Sequence, residues 1–275
     1  MKYTLTLSCI LLTVYVGFSQ SKGAANNNIA KGNLYFYWGW NRAWYTTSTL
    51  HFSGSDYDFT LKKVVAKDRQ TAISAKIYLN PRYATIPQYN FRLGYFFKNN
   101  WDISFGIDHM KYVMRQNQVA ELSGYINDSQ SSYNGVYDHE RIIVTEDFLT
   151  FEHTDGLNYL NLELRHSNNI MALGKTKFFF KKGVGTGVMF PKTNTMLLGK
   201  DRYDEFHIAG FGISAVAGLS VSFFNNFYIQ TELKGGYINL PKIRTTLSNA
   251  DSAKQNFFFS QINITLGSMF SLFKK

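Results

Sequence analysis

Cysteine, proline and long apolar runs are what this sequence has least of, and each shortage closes off a class of protein. The single cysteine, Cys9, lies in an N-terminal segment that reads as removable. The mature chain is therefore expected to have no disulfide, no thiolate nucleophile and no cysteine metal site. Only four prolines are present, Pro81, Pro87, Pro191 and Pro241, and all fall between or at the ends of candidate strands, where a missing ladder donor is tolerated. After the first 20 residues no apolar run is long enough for a spanning helix, so a helical membrane protein is excluded. Linkers rich in Pro, Gly or Ser are also missing, and the ~255 residues that remain read as one domain.

The first residues, "MKYTLTLSCILLTVYVGFSQ", carry Lys2, an apolar stretch over 5–16, and small residues at Gly17 and Ser19. That order predicts a secretory signal over 1–19, cut after Ser19, and a short periplasmic segment over 20–32. The net charge of +10 raises nucleic acid as a partner. No stretch interleaves base-stacking aromatics with a basic helix, so none is expected, and anionic lipid headgroups fit better. Aromatics are abundant, with 24 Phe, 18 Tyr and 4 Trp, yet the mean hydropathy of −0.20 is that of a soluble protein.

Alternation resolves the mismatch. In "WDISFGIDHM", Trp101, Ile103, Phe105 and Ile107 share one face of a strand, and Asp102, Ser104, Gly106 and Asp108 share the other. The same period of two recurs in "NLYFYWGWNRAWY", "YNFRLGYFF", "NYLNLELRH", "KKGVGTGVMF", "FHIAGFGISAVAGLSVSFF", "FYIQTELKGGYINL" and "SQINITLGSMF", which makes eight strands. The glycines of "KKGVGTGVMF" stand at every second residue and no helix follows, so they read as barrel wall and not as a phosphate cradle. Their bare inner face leaves room for large neighbours such as Tyr159 from the preceding strand, or permits the sharp coil that a small barrel requires. Short turns ("KNN", "NNIMALGKT", "NN") alternate with long connections over roughly 46–87, 116–156, 191–204 and 243–255. Short turns on one side and long loops on the other predict an all-β fold, a transmembrane antiparallel up-and-down β-barrel over 33–275, with long extracellular loops at about 46–87 and 116–156. A ten-stranded version would recruit "YDFTLKKVV" and "AISAKIYL". Lys62 and Lys63 are adjacent, so one would face lipid at about 2 to 4 kcal/mol; eight strands are preferred, with those stretches as strand extensions or a hairpin standing above the membrane.

The signal, the eight alternating strands and the turns containing "NN" resemble the small eight-stranded outer-membrane barrels of Gram-negative bacteria, the OmpA and OmpX type. The resemblance implies the cell outer membrane as location and an assembly machinery as partner; the chain departs from it at its end, "FSLFKK", with Phe270 and Phe273 close to the terminus. A barrel of eight strands nearly fills its interior with side chains. The inward positions include Arg92, Arg165, Lys181 and Lys234 against Asp102, Asp108, Glu163 and Glu232. Matched charges predict a plug of salt bridges, since unpaired buried charge is so costly. Parity suggests Glu163 as a cross-strand partner of Lys181.

Some barrels of this kind are lipid A deacylases with a His-x-Ser pair, which directs attention to His51 and Ser53 in "LHFSG". "RHSNN" is a poorer fit, because His166 and Ser167 point to opposite faces at the periplasmic end. The commoner explanation of "LHFSG" is a polar loop. His139, Glu140, Glu146, Asp147, Glu152, His153 and Asp155 gather in one loop, but their spacing matches no ligand motif, so no metal and no cofactor is expected. His109 and His207 read as polar residues near strand ends. Lys111, Lys192, Lys200, Arg202, Lys242 and Arg244 form a basic outer rim that can meet lipopolysaccharide phosphates. Trp38, Trp40, Trp44, Trp101 and Phe227 are candidates for aromatic girdles. The reading favoured is a monomeric, non-enzymatic structural or surface-interaction barrel; the alternatives are a lipid A-modifying hydrolase using His51 and Ser53, and a narrow small-solute channel.

Overall fold

The computed structural model describes residues 28–272 except 79, 84, 85, 129, 130 and 225. The expected signal over 1–19 with Cys9, most of the segment over 20–32, and Phe273 lie outside the described residues. Fifteen strands are present among them: β1 (Asn33–Tyr45), β2 (Ser48–Ser53), β3 (Tyr57–Val64), β4 (Ala66–Lys67), β5 (Tyr89–Lys98), β6 (Trp101–Met114), β7 (Gln118–Ile126), β8 (Gly135–Val144), β9 (Leu149–Leu173), β10 (Thr176–Met189), β11 (Lys192–Leu197), β12 (Tyr203–Phe206), β13 (Gly210–Phe223), β14 (Phe227–Arg244) and β15 (Ser252–Ser271).

Eight of them close into a ring. The order β1-β5-β6-β9-β10-β13-β14-β15 is antiparallel at every step, and β15 returns to β1 with Asn33 opposite Ser271 and Tyr45 opposite Phe259. Closure gives every strand of the ring a partner on both sides, the condition for a sheet to stand in hydrocarbon. The ten-stranded alternative is thereby overturned. Of its two extra segments, "YDFTLKKVV" becomes β3, which pairs with β2 and β7 outside the ring, and "AISAKIYL" contains a short helix, Ala75–Tyr78. The adjacency of Lys62 and Lys63 has a local solution: Lys63 takes a positive φ of 62°, and both ammonium groups reach Glu121, at 3.5 and 3.4 Å.

The turn expected as "NNIMALGKT" is shorter than the pattern suggested. β9 runs on to Leu173 and β10 begins at Thr176, leaving Gly174 and Lys175 as the turn. A bulge between Phe178 and Phe179 shifts the pairing there and breaks the alternation that would have marked the strand.

Three of the long connections carry strands, which build a second tier of sheet. The upper end of β15 pairs with β2, and the order continues β2-β3-β7-β8. On another side the upper end of β9 carries β11, which carries β12. These elements enclose a core that includes Leu50, Phe52, Phe59, Leu61, Tyr112, Leu122, Phe148, Phe151, Leu240 and Phe257. A smaller aromatic floor of Tyr35, Tyr37, Phe96, Phe179 and Tyr228 closes the opposite end, near the short turns.

Candidate functional site

Parity places the interior charges and register brings them together. Along β6, β9 and β14 the inward residues of the lower barrel are polar: Asp102, Ser104 and Asp108; Asn161, Glu163 and Arg165; Gln230, Glu232 and Lys234. Glu163 stands at the centre. Its carboxylate meets Arg92 Nη2 at 2.9 Å, Arg165 Nε at 2.5 Å and Lys234 Nζ at 2.7 Å. Arg165 extends the chain to Glu232 at 2.6 Å, and Lys234 reaches Asp108 at 2.5 Å. Each of these six side chains is no more than 3 % exposed. Buried charge on this scale is tolerable only when every member is paired and its remaining donors are used. All six are paired, and further bonds support them: Arg92 also donates to Ser104 Oγ and Asn161 Oδ1, and Asn90 and Asn161 donate to Asp108.

Tyr37 is a hub that charge counting alone passes over. Its hydroxyl accepts from Arg92 Nε at 3.1 Å and Arg165 Nη2 at 3.0 Å and donates to Glu232 at 3.4 Å. Its inward parity on β1 was the available signal. Asp102 accepts from Tyr35 Oη at 2.6 Å.

Lys181 does not pair with Glu163. The register sets Lys181 opposite Ser167 and Gly218, and sets Glu163 opposite Gly185, four residues along β10. Lys181 Nζ lies instead over the rings of Tyr228 and Tyr35, 4.6 and 5.6 Å from their centres. The glycines of β10 also serve other neighbours than expected. A β-carbon at Gly185 would stand 2.6 Å from Glu163 Cγ, and one at Gly183 2.8 Å from Arg165 Cγ, so the bare wall makes room for the ion cluster. Tyr159 leans on Gly212 of β13 and donates to its carbonyl at 3.1 Å.

The outward face is built for a different solvent. Leu93, Ile103, Phe105, Leu162, Val184, Ile213, Leu219, Ile229, Leu233, Ile264 and Leu266 all point outward and are 48 to 65 % exposed. An apolar wall around a polar interior is the inverse of a water-soluble barrel and matches a bilayer core. Trp40 and Trp44 sit toward the tier end of β1, with Trp40 5.6 Å from Tyr78, while Trp101, packed on His166 at 4.6 Å, and Phe227 sit at the short-turn end. Trp38 packs edge-on against Trp40 at 4.9 Å.

His51 and Ser53 share one face of β2 but not a hydrogen bond. His51 Nε2 lies 2.9 Å from Asp58 Oδ1, and Ser53 Oγ lies 3.3 Å from Ser252 Oγ. Neighbouring strands thus take up both partners, and a nucleophile needs its base within reach. Ser53 is opposite Ser252, six residues above Phe258, an outward residue 61 % exposed; at about 3.4 Å per residue that is roughly 20 Å along the strand.

The acidic and imidazole groups of the second long connection go to separate partners. His139 Nδ1 meets Glu121 at 2.7 Å, Asp147 accepts from Tyr133 at 2.6 Å, Glu152 accepts from Asn194 at 2.7 Å, and Asp155 pairs with Lys192 at 2.9 Å. The Lys192 bond holds the Asp155 carboxyl below its usual range and raises the lysine. His153 is fully buried with Nδ1 3.0 Å from Thr193 Oγ1, and burial pushes it down to about 3. His109 lies buried on Asn158 at 2.8 Å, and His207 accepts from the backbone N–H of Arg244 at 3.2 Å.

Of the basic rim, Lys192 also reaches Asp204 at 3.4 Å, Lys200 pairs with Asp128 at 3.0 Å, and Arg202 pairs with Asp204 at 2.9 Å. Lys111 donates to the Ile86 carbonyl at 3.0 Å, and Arg244 lies 5.1 Å over the Tyr203 ring. Lys242 is exposed.

The chain matches no known protein-family profile and no curated protein. Among solved structures it is similar to the outer membrane protein OprG from Pseudomonas aeruginosa, at 10 % identity and a TM-score of 0.40 over 89 % of this chain and 99 % of that one. It is also similar to the outer membrane protein AlkL, at 11 % identity and 0.38 over 93 % and 96 %, and to Neisserial surface protein A, at 10 % and 0.35 over 87 % and 100 %.

Proposed function

We propose that this chain is a monomeric outer-membrane β-barrel, exported by the signal over 1–19 and delivered to the outer-membrane assembly machinery. Its interior is closed by an ionic plug, and its role is structural or surface-interacting, carried by the tier of sheet built from the long connections and by contact with lipopolysaccharide. The observation that carries the reading is the joint inversion of the wall: apolar side chains outward around the ring, six paired charges inward. A channel reading requires a lumen, and the ion-paired side chains occupy that space. Two measurements test the proposal. The chain should fractionate with the outer membrane, and planar bilayers containing it should show no continuous conductance; steady current would sink the plug.

The hydrolase alternative rests on the His51–Asp58 contact, which would orient a base. Against it stand the Ser53–Ser252 contact and the height of the pair above the apolar wall. Expression of the protein is expected to leave the lipid A mass spectrum unchanged.

A further inference from the structure

A pocket of about 450 Å³ opens beside the upper end of β1, lined by Arg42, Trp44, Lys67, Asp68, Gln70 and Arg115 among others. It forms because the tier end of β1 continues beyond its pairing with β5, which stops at Trp40. A strap over residues 65–70 covers the uncovered edge. Asp68 accepts from the Ala43 N–H at 3.2 Å, Gln70 donates to the Asn41 carbonyl at 3.0 Å, and the Arg115 N–H donates to the Val65 carbonyl at 3.0 Å.

Three cations line this one pocket, and none of them forms an ion pair among the described residues, in contrast to Lys192, Lys200 and Arg202 of the basic rim. The single carboxylate in the lining is already committed. Asp68 takes hydrogen bonds from Ala43 N, Gln70 Nε2 at 2.8 Å, and Gln88 Nε2, all neutral donors that fasten the strap. Two guanidinium forks and an ammonium around an open volume suit a phosphate, which accepts charge-assisted bonds from several sides.

The position selects the source of that phosphate. Going up the outward face of β1, Phe36, Trp38 and Trp40 give way to Arg42, then Trp44, which is 56 % exposed, then Thr46. Tryptophan marks the level where hydrocarbon meets headgroups, so the pocket opens where a lipid phosphate lies with its acyl chains against the aromatic wall below.

Resting on the membrane reading above, we propose that Arg42, Lys67 and Arg115 form a site for the phosphate of an outer-leaflet lipid headgroup. The test uses the folded full-length protein in detergent micelles, titrated with diphosphoryl lipid A, with the same lipid after phosphatase treatment, and with inorganic phosphate. The expected result is binding of the phosphorylated lipid that falls about tenfold or more in the triple variant Arg42→Gln/Lys67→Gln/Arg115→Gln and on removal of the phosphate, as loss of charge-assisted contacts requires. Arg42→Gln alone should show part of the loss, and Lys175→Gln, in the short turn at the opposite end of the barrel, none. Unchanged affinity in a triple variant whose circular dichroism melt matches the wild type overturns the site. Inorganic phosphate binding as tightly as the lipid overturns the lipid source. Fractionation of cells reads the membrane assignment separately, so its failure is distinguishable from failure of the pocket.

Discussion

The lower barrel and the tier above it are built by the same strands with opposite chemistry. Read inward along β15 from its short-turn end, the residues are Thr265, Asn263 and Gln261, then Phe259 and Phe257. Along β14 they pass from Gln230, Glu232 and Lys234 to Ile238 and Leu240, and along β6 from Asp102 and Asp108 to Met110 and Tyr112. The outward residues change in the opposite sense, from Leu266, Ile264 and Ile262 on β15 to Asn256 and Lys254. Each strand therefore exchanges its polar and apolar faces; on β14 the inward change is complete before the register shift beyond Leu240, whereas on β6 the pairing with β9 shifts between Met110 and Tyr112. The change of surroundings accounts for this: in hydrocarbon the outer wall is apolar and polar groups satisfy one another inside, whereas in water burial of apolar area again drives the packing.

The two interiors should fail differently, and the largest effect is expected below. Glu163→Gln leaves Arg92 with no carboxylate within 4 Å among the described residues and removes one partner each from Arg165 and Lys234. Breaking a buried network by removing one partner costs about 3–5 kcal/mol. Equilibrium unfolding by urea in lipid vesicles should read that loss as a property of the whole barrel. A cost below about 1 kcal/mol would mean that the cluster is hydrated and the lower core is not held by pairing.

In the tier the expected effect is smaller and local. Leu50, Leu61 and Leu122 stand opposite one another across β2, β3 and β7, each fully buried. Leu61→Ala should cost about 2–3 kcal/mol, as large-to-small changes in an apolar core do. Limited proteolysis should then cut the β2–β3 and β7–β8 hairpins faster while the lower strands stay protected. If the barrel unfolds in the same step, the two interiors form one cooperative unit.

How much of this was legible in the sequence depended on which solvent a strand meets. All eight ring strands and the inward parity of Arg92, Asp108, Glu163, Arg165, Glu232 and Lys234 follow from period-two alternation, because one face of each must be apolar. Contacts were less accessible. Parity puts Lys181 and Glu163 on the same side of the wall, but only register separates them by four residues. Apart from "YDFTLKKVV", read as a strand extension or hairpin and found as β3 paired with β2, the tier strands read as loops because bulges at Lys63 and His139, both at positive φ, interrupt the alternation, and because charge is spread over their water face. The pocket cations Arg42, Lys67 and Arg115 carry no shared motif; folding of the strap is what collects them.

Acid should separate the interiors further. His153 belongs to the upper core, beside Tyr112 and Phe151. Burial lowers its folded value to about 3, while the unfolded chain has the ordinary one near 6.5. Below pH 6.5 the unfolded state takes up a proton that the folded state refuses, so stability is complete above that value and is lost as pH falls toward 3. At pH 5 the loss is about 2 kcal/mol. His153→Gln should flatten that part of the pH profile, measured by the proteolysis of the tier hairpins.

The smallest effect distinguishes charges that hold the lower core from one that merely resides there. Lys181 is buried, yet no carboxylate lies within 4 Å of it among the described residues, and its ammonium rests on the faces of Tyr228 and Tyr35. A desolvated cation–π contact is worth about 2 kcal/mol at most, and much of that offsets the cost of burying an unpaired ammonium. Lys181→Met keeps the volume of the side chain and removes both contributions. The unfolding free energy should fall by less than about 1 kcal/mol, well under the cost of Glu163→Gln. A loss as large as that of Glu163→Gln would make Lys181 a working member of the ionic network, through Asp102, and would extend that network to the short-turn end of the barrel.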